Sequence, residues 1–186
     1  MVRIEFRVLL AVLTGLWILV RMGVSLHRGS FSRKRELQLL AVYICIVIVT
    51  RFTFFPYLKV DGQIQPLIFD AAKMYPFRTN LVPFANILKY DVSREMWRNL
   101  VGNIAMFLPL GIVWPSVFPQ LDTPWKAMAA GAGYSLLIEL LQLPLYQRTT
   151  DVDDLILNTL GFLLGYGICL LTKAIARACR RHRGKK

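Results

Sequence analysis

The sequence contains few acidic residues, few histidines and few cysteines. Its 11 Asp and Glu residues stand against 23 Lys and Arg residues, which gives a formal net charge of +12. A charge of this sign often indicates a phosphate-rich partner, but 55% of the residues are hydrophobic, which is too apolar for a basic nucleic-acid binder. We therefore expect no nucleic acid as a partner. Cys45 and Cys169 lie in apolar runs and Cys179 in a basic tail, so neither a disulfide framework nor a Cys-based zinc site is expected.

Common catalytic motifs are also missing from the sequence. It has no Ser-His-Asp set, no G-x-S-x-G motif and no Gly-rich phosphate loop. His27 and His182 stand among basic residues, where we expect them to be solvated and not to bind a ligand. A functional site must therefore be built from other polar residues.

Long apolar runs dominate what the sequence does contain. Five of them, at 8–26, 37–55, 99–118, 125–145 and 154–175, are long enough to cross a hydrocarbon core of ~30 Å at ~1.5 Å per helical residue. The sequence therefore predicts an all-α polytopic membrane bundle with about five transmembrane helices and an amphipathic external loop. We divide it into an N-terminal two-helix hairpin (1–55), a membrane domain with the external loop and three helices (56–175), and a basic tail (176–186).

Basic residues cluster in the 27–36 loop and in the C-terminal tail. Because cytoplasmic segments of membrane proteins are enriched in Lys and Arg, both clusters are predicted to be cytoplasmic, and five spans make the two assignments agree. The N-terminus, the 56–98 loop and the 144–153 connection are then external. Apolar residues scattered through the external loop predict segments that lie in the membrane interface as a lid. These residues are Pro66, Leu67, Ile68, Phe69, Phe84, Ile87, Leu88, Met96 and Trp97.

Polar residues concentrate in the stretch 139–165, which is otherwise apolar enough to lie in a bilayer. An ionisable residue at membrane depth indicates a functional site. Helical spacing puts Asp154, Asn158, Gly161 and Gly165 on one face of the fifth helix. With this face, four helices contribute polar groups to one external layer, whose candidate residues are Arg51, Asn103, Glu139, Gln142, Asp154 and Asn158.

Three interpretations of these polar residues remain open at this point. Glu139, Asp151 and Asp154 are candidate ligands of Ca²⁺ or Mg²⁺, which prefer oxygen ligands. Alternatively, Arg51 and Arg148 neutralise the carboxylates in a charge network. In the third interpretation the site binds a polar headgroup, whose phosphate is taken by the two arginines and whose sugar or peptide groups are taken by the amides.

Some of the same residues also have plain structural roles available. Thr150 and Asp151 are placed to cap the N–H groups at the start of the fifth helix. The G-x-x-x-G spacing in that helix, and the small pair Ala129 and Gly133 in the fourth, predict close packing between helices.

Four motifs occur in order along the chain. They are NLVPF (80–84), N-x-x-x-N-x-x-x-F-x-P-x-G (99–111), E-x-x-Q (139–142) and R-x-x-D-x-D-D-x-x-x-N-x-x-G-x-x-x-G (148–165). This set, which covers about half of the chain, resembles the VanZ-like family of bacterial membrane proteins. The resemblance implies an integral membrane protein of a family named for low-level resistance to teicoplanin, with no settled catalytic activity. It supports the importance of Asn80, Pro83, Asn103, Glu139, Gln142, Arg148, Asp151, Asp154 and Asn158.

Two classes of function follow from the residues and the resemblance. The first is a non-catalytic or regulatory protein of the bacterial cell membrane that lowers susceptibility to teicoplanin and other lipoglycopeptides through a polar site in the outer leaflet. Its partners would be the lipid bilayer and a lipid-linked cell-wall precursor or the lipoglycopeptide. The alternative is a divalent-cation-dependent membrane enzyme that acts on a lipid headgroup or such a precursor. A transporter is disfavoured because five helices without an internal repeat provide no alternating-access pair; the oligomeric state stays open.

Overall fold

The apolar stretches of the chain form α-helices in the computed structural model, which describes residues 2–28, 32–55, 59–60, 62–70, 72, 75–84, 94–145 and 147–183. The five helices found there are α1 (Phe6–Arg28), α2 (Arg33–Phe54), α3 (Arg94–Val117), α4 (Pro124–Gln142) and α5 (Val152–Arg183). A short 3₁₀ helix, Pro119–Leu121, lies between α3 and α4. Each helix coincides with one of the predicted spans, and the all-α fold class is confirmed.

Four of the described helices, α1, α2, α3 and α5, are long and apolar enough to cross a membrane. Helix α4 is not one of the four; it has 19 residues and includes Lys126 and Glu139. The chain is therefore a multi-pass membrane protein by the length and composition of its helices, and the crossing of the bilayer by α4 stays a prediction.

Short β-strands accompany the helices. They are β1 (Val2–Ile4), β2 (Lys59–Val60), β3 (Gln63–Ile64), β4 (Leu67–Phe69), β5 (Thr79–Asn80) and β6 (Thr150–Asp151). β1 pairs antiparallel with β4, β2 pairs antiparallel with β3, and β5 pairs parallel with β6. The sequence analysis predicted none of them, because strands of two or three residues are too short to show a periodic pattern.

The chain forms two compact units, one from 1–84 and 136–152 and the other from 85–135 and 153–186. The predicted division of the chain at residues 55 and 175 is a separate matter from these two units, and it stays a prediction. Helix α5 continues without a break through residue 175 to Arg183.

An apolar cluster lies at the centre of the first unit. Phe55, Leu67 and Leu145 are buried in it, and the start of α1 packs against it through Phe6 and Leu9. Leu67 is buried in the protein, where β4 pairs with β1, and the predicted interfacial position of the loop stays a prediction. Two other residues of the predicted lid, Ile87 and Leu88, lie outside the described residues.

Helices α1 and α2 contact each other along the first unit. The Thr14 and Tyr43 hydroxyl groups are hydrogen-bonded at 2.5 Å, and the ring of Trp17 lies 5.1 Å from that of Tyr43 between centroids. Near the other end of the pair, Arg21 binds both carboxylate oxygens of Glu36, with 2.9 Å between Nε and Oε2. These contacts join α1 to α2 at two places along their length.

The second unit is organised by glycines at the contact between α3 and α5. A Cβ atom added at Gly161 would collide with the backbone carbonyl oxygen of Ile104, and one at Gly165 with that of Leu108. This confirms the close packing predicted from the G-x-x-x-G spacing, in which small residues let two helix backbones approach.

Ala129 and Gly133 were predicted to form the face of α4 that packs closely against another helix, and this prediction is wrong. A Cβ atom at Gly133 would meet nothing within 4 Å, whereas one at Gly131 would lie 2.8 Å from the ring of Phe162. Two residues correspond to ~200° around a helix, so the two glycines face nearly opposite directions. The pair Ala129 and Gly133 has the right spacing but points away from the packed side.

Candidate functional site

Glu139 and Gln142 lie on the last turns of α4, and both side chains are buried. The backbone carbonyl of Glu139 accepts a hydrogen bond from the Thr150 hydroxyl at 3.0 Å. Its carboxylate oxygen Oε2 accepts the backbone N–H of Asp151, also at 3.0 Å. Glu139 thus binds β6 through its main chain and its side chain together.

Asp151 connects Glu139 to Asn80, which lies in the 56–98 loop. The Asn80 amide donates to both carboxylate oxygens of Asp151, at 3.0 and 3.1 Å. The backbones of the two residues are paired in the parallel ladder of β5 and β6, and the N–H of Thr150 donates to the carbonyl of Arg78 at 3.0 Å. Three separate parts of the chain therefore meet here. Thr150 and Asp151 form this ladder, and their predicted capping of α5 stays a prediction.

Gln142 and Arg148 bind the C-terminal end of α2. Gln142 Nε2 donates to the carbonyl of Thr53 at 2.6 Å, and Arg148 Nε donates to the carbonyl of Phe54 at 3.1 Å. The last carbonyls of a helix lack partners within the helix and carry the negative end of its dipole. These two side chains therefore supply hydrogen bonds to two of the carbonyl groups at the end of α2. We call Asn80, Glu139, Gln142, Arg148 and Asp151, all in the first unit, the polar cluster.

Arg51 lies one turn before the same helix end. Its guanidinium group lies 5.8 Å from the ring centroid of Phe6 and 5.3 Å from that of Phe52, and Nη1 donates to the carbonyl of Phe55 at 3.4 Å. Contacts of this kind between a cation and aromatic faces are stabilising. The predicted neutralisation of Glu139 or of the aspartates by Arg51 stays a prediction.

The side-chain oxygen of Gln142 has no hydrogen-bond partner among the described residues. Because the Thr53 carbonyl can only accept, the amide nitrogen of Gln142 must face it, and the amide oxygen Oε1 points elsewhere. Gln142 is only 6% exposed, and its Oε1 has no partner among the described residues. A buried acceptor without a partner costs about 1–3 kcal/mol. The cluster is therefore able to accept one further N–H or O–H donor.

The second unit holds the other predicted site residues. Asn103 Nδ2 donates to Asp154 Oδ1, which joins α3 to the first turns of α5. Asn158 is buried and donates to the hydroxyl of Ser135 at 3.0 Å. Ser135 was missed in the sequence analysis, although it shares with Glu139 a spacing of four residues and therefore a helix face.

Metal binding gains no support from the arrangement of acidic residues. Across the part of the chain that the structure describes, no three His, Cys, Asp or Glu side chains are grouped so that they could hold a metal ion. Glu139 and Asp151 accept N–H donors of the protein. The assignment of Glu139, Asp151 and Asp154 to Ca²⁺ or Mg²⁺ stays a prediction from sequence.

Comparison with known protein families identifies the chain by a long stretch of sequence. A family model described as VanZ/LLP1 matches residues 40–173, a range that includes most of α2, all of α3 and α4, most of α5 and every residue of the polar cluster. No curated protein and no solved structure matches the chain.

Proposed function

The chain belongs to the VanZ/LLP1 family, and we propose that it acts in the bacterial cell membrane to lower susceptibility to teicoplanin and other lipoglycopeptides. The working site in this proposal is the polar cluster, in the outer leaflet. The observation that carries the proposal is the convergence of the cluster residues from three parts of the chain in a membrane protein. Polar and ionisable residues at such a position are costly and are a mark of function.

The chemistry of the cluster favours a ligand that donates hydrogen bonds. Gln142 Oε1 is a buried acceptor without a partner among the described residues. Arg148 Nε already donates to the carbonyl of Phe54, so this N–H group serves the end of α2. Sugar hydroxyls and peptide amides, as found in a lipid-linked cell-wall precursor, offer the required donors. Binding of such a headgroup would limit the access of the antibiotic to its target.

An external position of the cluster is supported by contacts within the first unit. Gln142, at the end of α4, binds the carbonyl of Thr53 at the end of α2, so both helices end at the same membrane face. The 33–35 segment at the start of α2 and the C-terminal part of α5 are rich in Lys and Arg. Since such segments are retained on the cytoplasmic side, the cluster belongs on the opposite side, and the C-terminus in the cytoplasm.

The proposal is tested by growth inhibition in a teicoplanin-sensitive Gram-positive host that expresses the chain. Glu139→Gln, Asp151→Asn and Arg148→Ala should each abolish protection, because each removes a charge from the cluster without opening a large cavity. Gln147→Ala, at an exposed position in the same connection, is the matched control and should protect like the parent.

Immunoblots of the membrane fraction separate loss of function from loss of protein. Normal abundance with lost protection supports the polar cluster as the working site. Full protection by all three variants, or loss of protection only in proportion to loss of protein, would show that the cluster is structural and would overturn the proposed site.

A further inference from the structure

A second surface of the first unit is apolar and exposed. It lies in residues 75–84, which we call the rim segment. Tyr75, Leu81 and Val82 are 79%, 71% and 63% exposed, and Phe77 and Phe84 are each nearly half exposed. Single exposed apolar residues are ordinary, but a contiguous group of them marks a surface that contacts another apolar phase.

The hydrogen bonds of the rim segment fix its height relative to the membrane. Its strand β5 pairs with β6, and β6 ends at Asp151, directly before Val152, where the membrane-spanning helix α5 begins. Strands in a ladder are ~5 Å apart. Strand β5 therefore lies beside the residues that directly precede a candidate membrane helix, and we take this level as that of the lipid headgroups.

The side chains of the rim segment divide between two directions. Asn80 turns towards the protein and binds Asp151, while the next residue, Leu81, is exposed. Val82, the residue after Leu81, is exposed as well. The polar residue of the NLVPF motif therefore belongs to the polar cluster, and its apolar residues form the outward surface.

From this placement we propose that the rim segment inserts its apolar side chains into the boundary between headgroups and acyl chains of the bilayer. Its composition fits that partner, because Tyr75 and Phe77 are aromatic and Arg78 is basic. Aromatic rings with a polar end and long cationic side chains are enriched at this depth, where the ring lies in the apolar layer and the charge reaches the headgroups. The ladder of β5 and β6 then holds the polar cluster at the membrane surface.

This insertion goes beyond the proposed protection against lipoglycopeptides and does not depend on it, so the two are tested separately. The partner is the lipid surface itself. A second copy of the chain, or another protein, would cover the same residues but would shield them from both lipid and water. The accessibility of the rim segment to small collision reagents therefore distinguishes the lipid surface from a protein partner and from water.

The experiment uses the full chain with Cys179→Ser, which removes the exposed cysteine and leaves the buried Cys45 and Cys169 in place. A spin label is attached at Leu81→Cys or at Val82→Cys, and each protein is reconstituted into vesicles of phosphatidylethanolamine and phosphatidylglycerol. Collision rates are measured with oxygen, which concentrates in the hydrocarbon, and with a water-soluble nickel chelate. Gln147→Cys, an exposed polar position in the connection before β6, is the matched control.

We expect the ratio of oxygen to nickel collisions to be several-fold higher at 81 and 82 than at 147. A ratio at both positions equal to that of the control would place the rim segment in water and overturn the proposal. Low collision rates with both reagents would place it against protein, which also overturns the proposal. Two labelled positions guard against a single label that disturbs its surroundings.

Discussion

Replacement of Gly161 by alanine tests the close contact between α3 and α5. The added Cβ would meet the backbone carbonyl of Ile104, and a backbone atom cannot move aside as a flexible side chain does. Overpacking of this kind costs about 1–3 kcal/mol, while the better helix propensity of alanine contributes about 1 kcal/mol in the opposite direction. The net loss should be about 1 kcal/mol, which is roughly fivefold in the folding equilibrium.

The assay is the reversible unfolding of the purified chain in mixed micelles at increasing detergent denaturant, followed by helical circular dichroism. Gly167→Ala, six residues further along α5, is the matched control, because a Cβ there would meet nothing within 4 Å. It should be stabilised by up to about 1 kcal/mol through propensity alone. If Gly161→Ala proves as stable as Gly167→Ala, the two helix backbones are not in contact at Gly161 and the reasoning fails.

Two further hydrogen-bonded pairs give predictions in the same unfolding assay. In a double-mutant cycle, Asn80→Ala and Asp151→Ala should show a coupling of about 1.5 kcal/mol, because the amide donates to a charged acceptor; additive losses would mean that the pair does not form. Arg21→Met should cost about 1 kcal/mol, and Glu36→Gln in the same chain should cost little more, since the two charges bind each other. Independent losses at Arg21 and Glu36 would contradict that pairing.

The positions of the helices, and the close packing at Gly161 and Gly165, could be predicted from the sequence. Long apolar runs report helix position directly, and the spacing of Gly161 and Gly165 defines one face whatever the partner helix is. The sequence could not show whether Gly131 or Gly133 on α4 lies at a helix contact, because this depends on the position of the Phe162 ring in the folded chain. Spacing alone therefore identifies a packing face but not whether a neighbour occupies it.

The sequence showed which residues belong to the polar cluster, but it did not show which groups these residues bind. Glu139, Gln142, Arg148 and Asp151 stand out as polar residues in an apolar region. Their partners, however, are largely backbone groups, such as the carbonyl of Phe54 and the N–H of Asp151. Every residue type carries these groups, so the sequence pattern contains no signal for them. This is why Arg148 was interpreted as a ligand for phosphate or carboxylate.

The pairing of β5 with β6 also has a consequence for biogenesis. Asn80 precedes Asp151 by 71 residues, and α3 and α4 lie between them. The ladder therefore cannot close until both helices have been synthesised and residue 151 has left the ribosome. Until then, Glu139 lacks the backbone N–H of Asp151 and Asn80 lacks its carboxylate partner. A chain arrested before residue 150 would present these polar groups to the insertion machinery, and closure of the ladder marks the completion of assembly of the first unit.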